Sequence, residues 1–204
     1  MVRAVLLDAM GTLIELEPPA PRLQAELRER AGLAITEAEA QAAMLEEIAF
    51  YRAHHRQGRD RASLFALRRE SARALRFRPY PEVPPTLERL RDDGVRRVVV
   101  SNWDVSLHAV LHRTGLTRLL SGAITSAELG AAKPSPGPFR HALTIAGVPA
   151  RDAVMVGNSL AEDVTGARAA GVEPVLLVRD GTLPGDLDGV PVIRTLRELP
   201  ALVA

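Results

Sequence analysis

Apolar and polar positions along the 204-residue chain fall into three regimes. The first is one short run, "VRAVLLD" at residues 2–8, apolar and partly β-branched, ending in a carboxylate; it predicts a buried strand. The second covers residues 20–78, rich in Ala, Glu, Arg, Leu and Gln. There "TEAEAQAAMLEEIAFYRAHH" opens with a capping box, Thr36 and Glu39, and keeps Ala40, Met44, Ile48 and Tyr51 at helical spacing. "DRASLFALRRESARALRF" predicts another helix, with Leu64, Leu67, Ala74 and Leu75 as apolar positions and Asp60 or Ser63 as N-cap. This stretch is expected to be a helical insert without strands.

The third regime alternates. "VPPTLERLRDDG" predicts a helix stopped at Gly94, and "VRRVVVSN" a strand ending at Ser101. "DVSLHAVLHRTG" is a helix with Asp104 as N-cap, and "SGAITSAEL" contains a short strand. "SPGPFRHALTIAG" is a helix, "DAVMVGN" a strand, "LAEDVTGARAAG" a helix and "PVLLV" a strand. "VPVIRTLRELPAL" adds a last strand and helix. Apolar strands alternating with helices imply an α/β fold, a Rossmann-like doubly wound parallel sheet covered on both faces. The expected division is a core of residues 1–17 and 79–204 with an inserted helical cap at 18–78. Ligands of such sheets bind beyond the carboxyl ends of the strands, where Asp8, Ser101 and Asn158 each follow a strand.

Composition removes several functions. A net charge of +1 gives no field for nucleic acid or a membrane surface, and no run approaches the roughly 18 apolar residues of a membrane span. The chain enters a strand-like run at once, which leaves no room for a signal peptide, so the expected location is cytoplasmic. With no Cys, disulfides and thiolate chemistry are excluded. Lys and Arg together number 26, yet the one Lys is Lys133. Under a bias toward Arg, the surviving Lys either marks a place where a compact ammonium fits and a planar fork does not, or is there by chance.

Taken singly, the candidate residues have structural roles open to them: Asp8 as a turn residue after a strand, Ser101 as a strand-end hydroxyl, Lys133 as a loop charge, Asp163 as an early-helix carboxylate. Gly11 and Thr12 form a tight turn whose backbone N–H groups are expected to be free for an anion. In order, the stretches "LLDAMGTL", "VVVSNWD", "AAKPSPGPF" and "VMVGNSLAEDVTGARAAG" resemble the motifs of the haloacid dehalogenase (HAD) superfamily, most of whose members transfer phosphoryl groups. The resemblance covers nearly the whole chain, including a helical cap between the first two motifs. It implies Asp8 as nucleophile, Ser101 and the N–H of Asn102 holding the transferring group, and Lys133 neutralising charge. It also implies a Mg²⁺ site of Asp8, Asn158, Asp163 and the Met10 backbone carbonyl, and a small anionic metabolite as substrate.

Two positions depart from that pattern. Phosphatases of the superfamily carry Asp where this chain has Met10, and a thioether exchanges no proton; such acid–base help is worth roughly 10²–10⁴-fold. Asn158 replaces a carboxylate after the Gly of the last motif, which weakens metal binding. The dehalogenase branch needs neither proton donor nor metal, but its usual Tyr and Asn are here Phe139 and Leu160, and its usual Tyr at the third place of the first motif is Met10. The carbon–phosphorus-cleaving branch needs a cap Lys, and the cap has none. Three readings follow: a weak Mg-dependent phosphatase working through an Asp8 covalent intermediate, a metal-free 2-haloacid dehalogenase-type hydrolase, or a catalytically impaired anion-binding member. Cap residues His54, His55, Arg56 and Arg59 either meet an anionic substrate or face water. Trp103 either lines the pocket mouth or packs between cap and core.

Overall fold

The computed structural model describes residues 1–54, 57, 59–60, 75–181 and 187–204. Its centre is a six-stranded parallel sheet in the order β5-β4-β1-β6-β7-β8. The strands are β1 Ala4–Leu7, β4 Arg96–Ser101, β5 Gly122–Thr125, β6 Ala153–Gly157, β7 Glu173–Leu177 and β8 Val192–Ile193. β1 alternates its burial: Val5 and Leu7 enter one apolar cluster with Val99, Val154 and Val156, while Ala4 and Leu6 enter another with Val98, Val100 and Met155. Side chains of a strand point to opposite faces in turn, so an uninterrupted apolar run serves a sheet covered on both sides. α3 (Val83–Asp92) and α4 (Ser106–Arg113) cover the first face, and α6 (Pro136–Ala146) the second. α6 docks so closely that a Cβ on Gly166 would lie 2.4 Å from the Phe139 ring.

β1 pairs with β4 on one side and β6 on the other. The chain therefore leaves β1 in one direction and later returns past it in the other. Ligand crevices form at such a reversal, and Asp8 stands at its mouth.

The insert holds α1 (Pro19–Ala31) and α2 (Glu37–His54). Ala20, Leu23, Ala40 and Met44 bury one another there, with Leu27, Ile35 and Leu75 packed alongside, apart from the clusters on the sheet. The Thr36–Glu39 capping box is present: the Glu39 N–H donates to Thr36 Oγ1 at 3.2 Å, and the Thr36 N–H to Glu39 Oε2 at 2.7 Å. The insert is not free of strands, however. β3 (Phe77–Pro79) pairs antiparallel with β2 (Ile14–Leu16), so Leu75, Arg76 and Phe77, the anticipated end of a helix, are not helical. Pairing the two connections satisfies their backbone groups where the chain passes between sheet and insert. The rest of that anticipated helix, with Leu64, Leu67, Ala74 and Ser63, lies outside the described residues. Between β6 and α7 (Thr165–Ala169) the chain makes one π-helical turn, Leu160–Val164, and a short α5 (Ser126–Leu129) and α8 (Leu199–Val203) complete the fold. Among the described residues no helix is long and apolar enough to cross a membrane.

Candidate active site

The sheet brings four anticipated residues together. Lys133 Nζ donates to Asp8 Oδ1 at 2.7 Å and to Asp163 Oδ1 at 2.6 Å. Ser101 Oγ approaches the same Asp8 oxygen at 3.5 Å. Each arrives by a short route from a strand end: Asp8 directly after β1, its N–H still donating to the Val156 carbonyl at 2.9 Å, Ser101 as the last residue of β4, and Asp163 on the π-helical turn after β6. Lys133 comes from the loop before α6, locked to β4 by a reciprocal pair of bonds. The Lys133 N–H donates to Asn102 Oδ1 at 2.8 Å, and Asn102 Nδ2 donates to the Lys133 carbonyl at 3.0 Å. Asp163 is held from the other side by the Ser159 N–H, which donates to Oδ2 at 3.0 Å.

The Lys133 and Asp163 side chains are 1% and 2% exposed, that of Asp8 10%. Burial pushes the Asp8 carboxyl up to about 6, with the Asp163 charge adding to the rise and Lys133 opposing it. Burial pulls the Lys133 ammonium down, but Asp8 and Asp163 together outweigh it and hold it above its ordinary value. The cluster is thus two carboxylates sharing one buried cation, with Asp8 at the opening and Asp163 behind.

Gly11 has φ +78°, a conformation costly for any residue with a Cβ. A Cβ there would also stand 2.3 Å from Asn158 Nδ2, so the amide of Asn158 lies over the turn that follows Asp8. The backbone N–H groups expected to be free for an anion are not free. The Gly11 N–H donates to the Ile14 carbonyl at 2.8 Å, and the Thr12 N–H to the Ala9 carbonyl at 3.3 Å. A turn this tight closes its donors on itself. Thr12 is fully buried with its hydroxyl unpartnered, and neither Gly11 nor Thr12 lines the cleft.

That cleft has a volume of about 1060 Å³ and runs between sheet and insert. Asp8, Met10, Ser101, Asn102, Asn158 and Asp163 line its floor, and Ile48, Phe50 and Tyr51 of α2 its opposite wall. The Tyr51 hydroxyl accepts the Asp104 N–H at 3.2 Å, bridging α2 to the loop after β4.

Residues 2–171 match the family model of the haloacid dehalogenase-like hydrolases. The chain belongs to this family. It is 38% identical over 129 residues to the plasmid phosphoglycolate phosphatase of Cupriavidus necator, covering 61% of this chain and 55% of that protein. The chain spans about half the length of the curated relatives it matches. The crystal structure of a HAD phosphatase from Thermococcus onnurineus superposes with a TM-score of 0.74 at 30% identity, covering 100% of this chain and 98% of that one. A 2-haloacid dehalogenase from Pseudomonas syringae pv. Tomato superposes at 0.67 with 25% identity, over 100% and 98% of the two chains.

Within this HAD-like hydrolase the remaining anticipated residues separate. Phe139 is fully buried in the second sheet cluster, and Leu160 packs beside Val164; neither lines the cleft. His54 closes the end of α2, with Nδ1 2.7 Å from the Phe50 carbonyl and its ring stacked on Phe50 at 4.2 Å, and is not a cleft residue. Arg59 is exposed, while His55 and Arg56 lie outside the described residues. Trp103 fills both roles considered for it: it lines the cleft and packs edge-on against Phe77 of β3 at 5.2 Å. Asp104 does bond the start of its helix, accepting the Ser106 N–H at 2.6 Å.

Arg179 was not anticipated. From the loop after β7 its Nε donates to the Gly11 carbonyl at 3.1 Å and its Nη2 to the Thr12 carbonyl at 2.7 Å. Nη1 pairs with Glu82, and the guanidinium lies 3.5 Å from the centre of the Tyr80 ring. It clamps the turn after Asp8 to the segment that follows β3. Its one sequence signal is its place two residues beyond a strand, on the same rim as Asp8 and Ser101.

Proposed function

We propose that this HAD-like hydrolase cleaves phosphate monoesters through a covalent phosphoryl-Asp8 intermediate. The supporting observation is the buried Asp8–Lys133–Asp163 cluster, with Ser101 beside it, at the floor of a wide cleft. The phosphatase relatives point the same way. An Asp8 oxygen attacks phosphorus, the ester oxygen leaves with the bonding electrons, and water then cleaves the acyl phosphate. Lys133 offsets charge on Asp8 and on the transferring group, Ser101 and Asn102 orient that group, and Asp163 keeps Lys133 in place.

The family implies Mg²⁺, for which Asp8, Asp163, the Met10 carbonyl and Asn158 are the available donors. Hard oxygens suit the ion, but both carboxylates already bond Lys133, and Asn158 is neutral. Among the described residues no group of three or more acidic, His or Cys side chains is placed to hold a metal. These residues make a poor Mg²⁺ site, so the chemistry rests on the chain's own groups.

The test is phosphate release from a generic phosphomonoester by the wild-type chain and by Asp8→Asn, which keeps shape and removes the nucleophile. A loss of at least about 100-fold is expected, and unchanged turnover overturns the reading. The same poor metal site favours a second reading, displacement of halide by Asp8. Its test is halide release from short 2-haloacids in the presence of chelator.

A further inference from the structure

We propose that the cleft selects phosphates carried on an acidic oxygen of a flat apolar body, the aryl phosphate class. This deepens the phosphatase reading and rests on it. Two independent observations meet here. The first is chemical. Met10, two residues from Asp8, lines the cleft and packs against the sheet cluster, so the side chain beside Asp8 on this turn is a thioether, which carries no exchangeable proton. Without a proton donor, the leaving oxygen departs as an anion. A phenol-type oxygen does so readily, whereas an alkyl alkoxide forfeits the roughly 10²–10⁴-fold that an acid supplies.

The second is shape. The cleft holds about 1060 Å³, at the top of the usual range for small-molecule sites and far more than a two- or three-carbon phosphate fills. Its lining includes Met10, Ile48, Tyr51, Phe77 and Trp103, apolar and mostly aromatic side chains suited to stacking a flat ring. Met10 belongs to both observations: the side chain that removes the proton donor extends the apolar wall toward the nucleophile.

The steps balance without a co-reactant. An Asp8 oxygen–phosphorus bond forms as the phosphorus–aryl oxygen bond breaks, and the aryl oxide leaves with the electron pair. Water then bonds to phosphorus, the Asp8 oxygen–phosphorus bond breaks, Asp8 returns as carboxylate, and the water proton stays on the released phosphate. With no base at Met10, this second step is the slow one. The aryl oxide therefore appears as a burst of one per chain, followed by a slow rate common to all esters.

The experiment measures kcat/KM and the pre-steady-state burst for aryl phosphates of matched size and graded phenol acidity, for benzyl phosphate and for acetyl phosphate. A fall of at least about 100-fold from 4-nitrophenyl to benzyl phosphate, a burst, and a shallower series in Met10→Asp support the proposal. A flat series in the wild-type chain overturns it, because a proton then comes from elsewhere; Glu47 and Glu162 also line the cleft, and a series that steepens in Glu47→Gln or Glu162→Gln identifies the donor. Ile48→Ala tests the wall. It should lower kcat/KM at least about threefold for 1-naphthyl phosphate and leave acetyl phosphate, a small acyl phosphate whose acetate departs without a proton and offers no ring to the wall, unchanged. Equal effects on both overturn the apolar-body selection. Product from no ester overturns the phosphatase reading and this proposal together; product with a flat series overturns this proposal alone.

Discussion

Lys133→Met is the most direct test of the buried cluster, because Met nearly fills the volume of Lys and removes only the charge and its bonds. The 2.7 Å and 2.6 Å bonds to Asp8 and Asp163 vanish, leaving two carboxylates facing a gap with no cation between them. Breaking a buried ion pair by removing one partner costs about 3–5 kcal/mol, and the 1% exposure of the Lys133 side chain leaves little water to soften it. For a chain of 204 residues each kcal/mol moves the melting midpoint about 2–4 °C, so the expected drop is about 6–20 °C at pH 8. The dependence on pH follows from the sign. Burial already raises Asp8 to about 6 in the wild-type chain, and without Lys133 the Asp8 carboxyl rises further, since the cation that opposed the rise is gone and a like charge disfavours its ionisation. A carboxyl raised by folding stabilises the native state below its unfolded pKa and loses that contribution as pH climbs through the folded pKa. The deficit of the variant is therefore smallest near pH 5 and grows toward pH 8. Calorimetric melts at both pH values measure it, and adding Asp163→Asn to Lys133→Met should recover part of the loss at pH 8. A midpoint within about 3 °C of wild type at pH 8, or an equal drop at both pH values, refutes the charge argument.

Gly157→Ala should act on the same cluster by crowding. A Cβ at the end of β6 would stand 2.2 Å from Asp163 Cγ and Oδ2, against about 3.4 Å for ordinary contact, so the carboxylate must move and its bond to Lys133 stretches; a melting loss of at least about 6 °C is expected by calorimetry, without the pH dependence of Lys133→Met. Arg179→Ala leaves Glu82 buried without its cation and the Gly11 and Thr12 carbonyls without their donor, at a cost of about 3 kcal/mol. Hydrogen exchange should then speed up in residues 9–14 ahead of the sheet strands, and uniform protection would refute a local clamp.

The strands and the reversal at β1 were legible because a buried parallel strand leaves a plain mark, a short apolar run with a polar residue where it ends. Asp8 and Ser101 were placed on the rim for the same reason, since each directly follows or ends a strand, whereas Asp163 was singled out only by the resemblance of its motif. The β2–β3 pair was not legible. Each strand has only three residues, Ile14–Leu16 and Phe77–Pro79 with Glu15 and Arg78 paired across them, too few for an alternation to register, and pairing between partners some sixty positions apart cannot be read from either side. The N–H groups of Gly11 and Thr12 show a different limit: glycine announces a turn, but whether its donors point outward or close on Ala9 and Ile14 depends on backbone angles that composition does not specify. Arg179 combines both difficulties. It is one of 25 arginines, and its four partners lie 97 to 168 positions away.

Met10 and Asn158 are best understood together. Neither takes part in the bonds that hold the cluster, which run from Ser159 through Asp163 and Lys133 to Asp8 and Ser101. That is why the fold tolerates both. Carboxylates at the two positions would set four negative groups around one ammonium, an imbalance that a buried site holds only with a divalent cation. The chain as it stands sets two against one. With Met10 the site carries one negative group fewer than that arrangement, and with Asn158 a second fewer, so the charge a divalent cation would have to balance falls at both positions. The two residues thus act in one electrostatic direction, leaving Asp8 and Asp163 balanced by Lys133, the chain's one lysine.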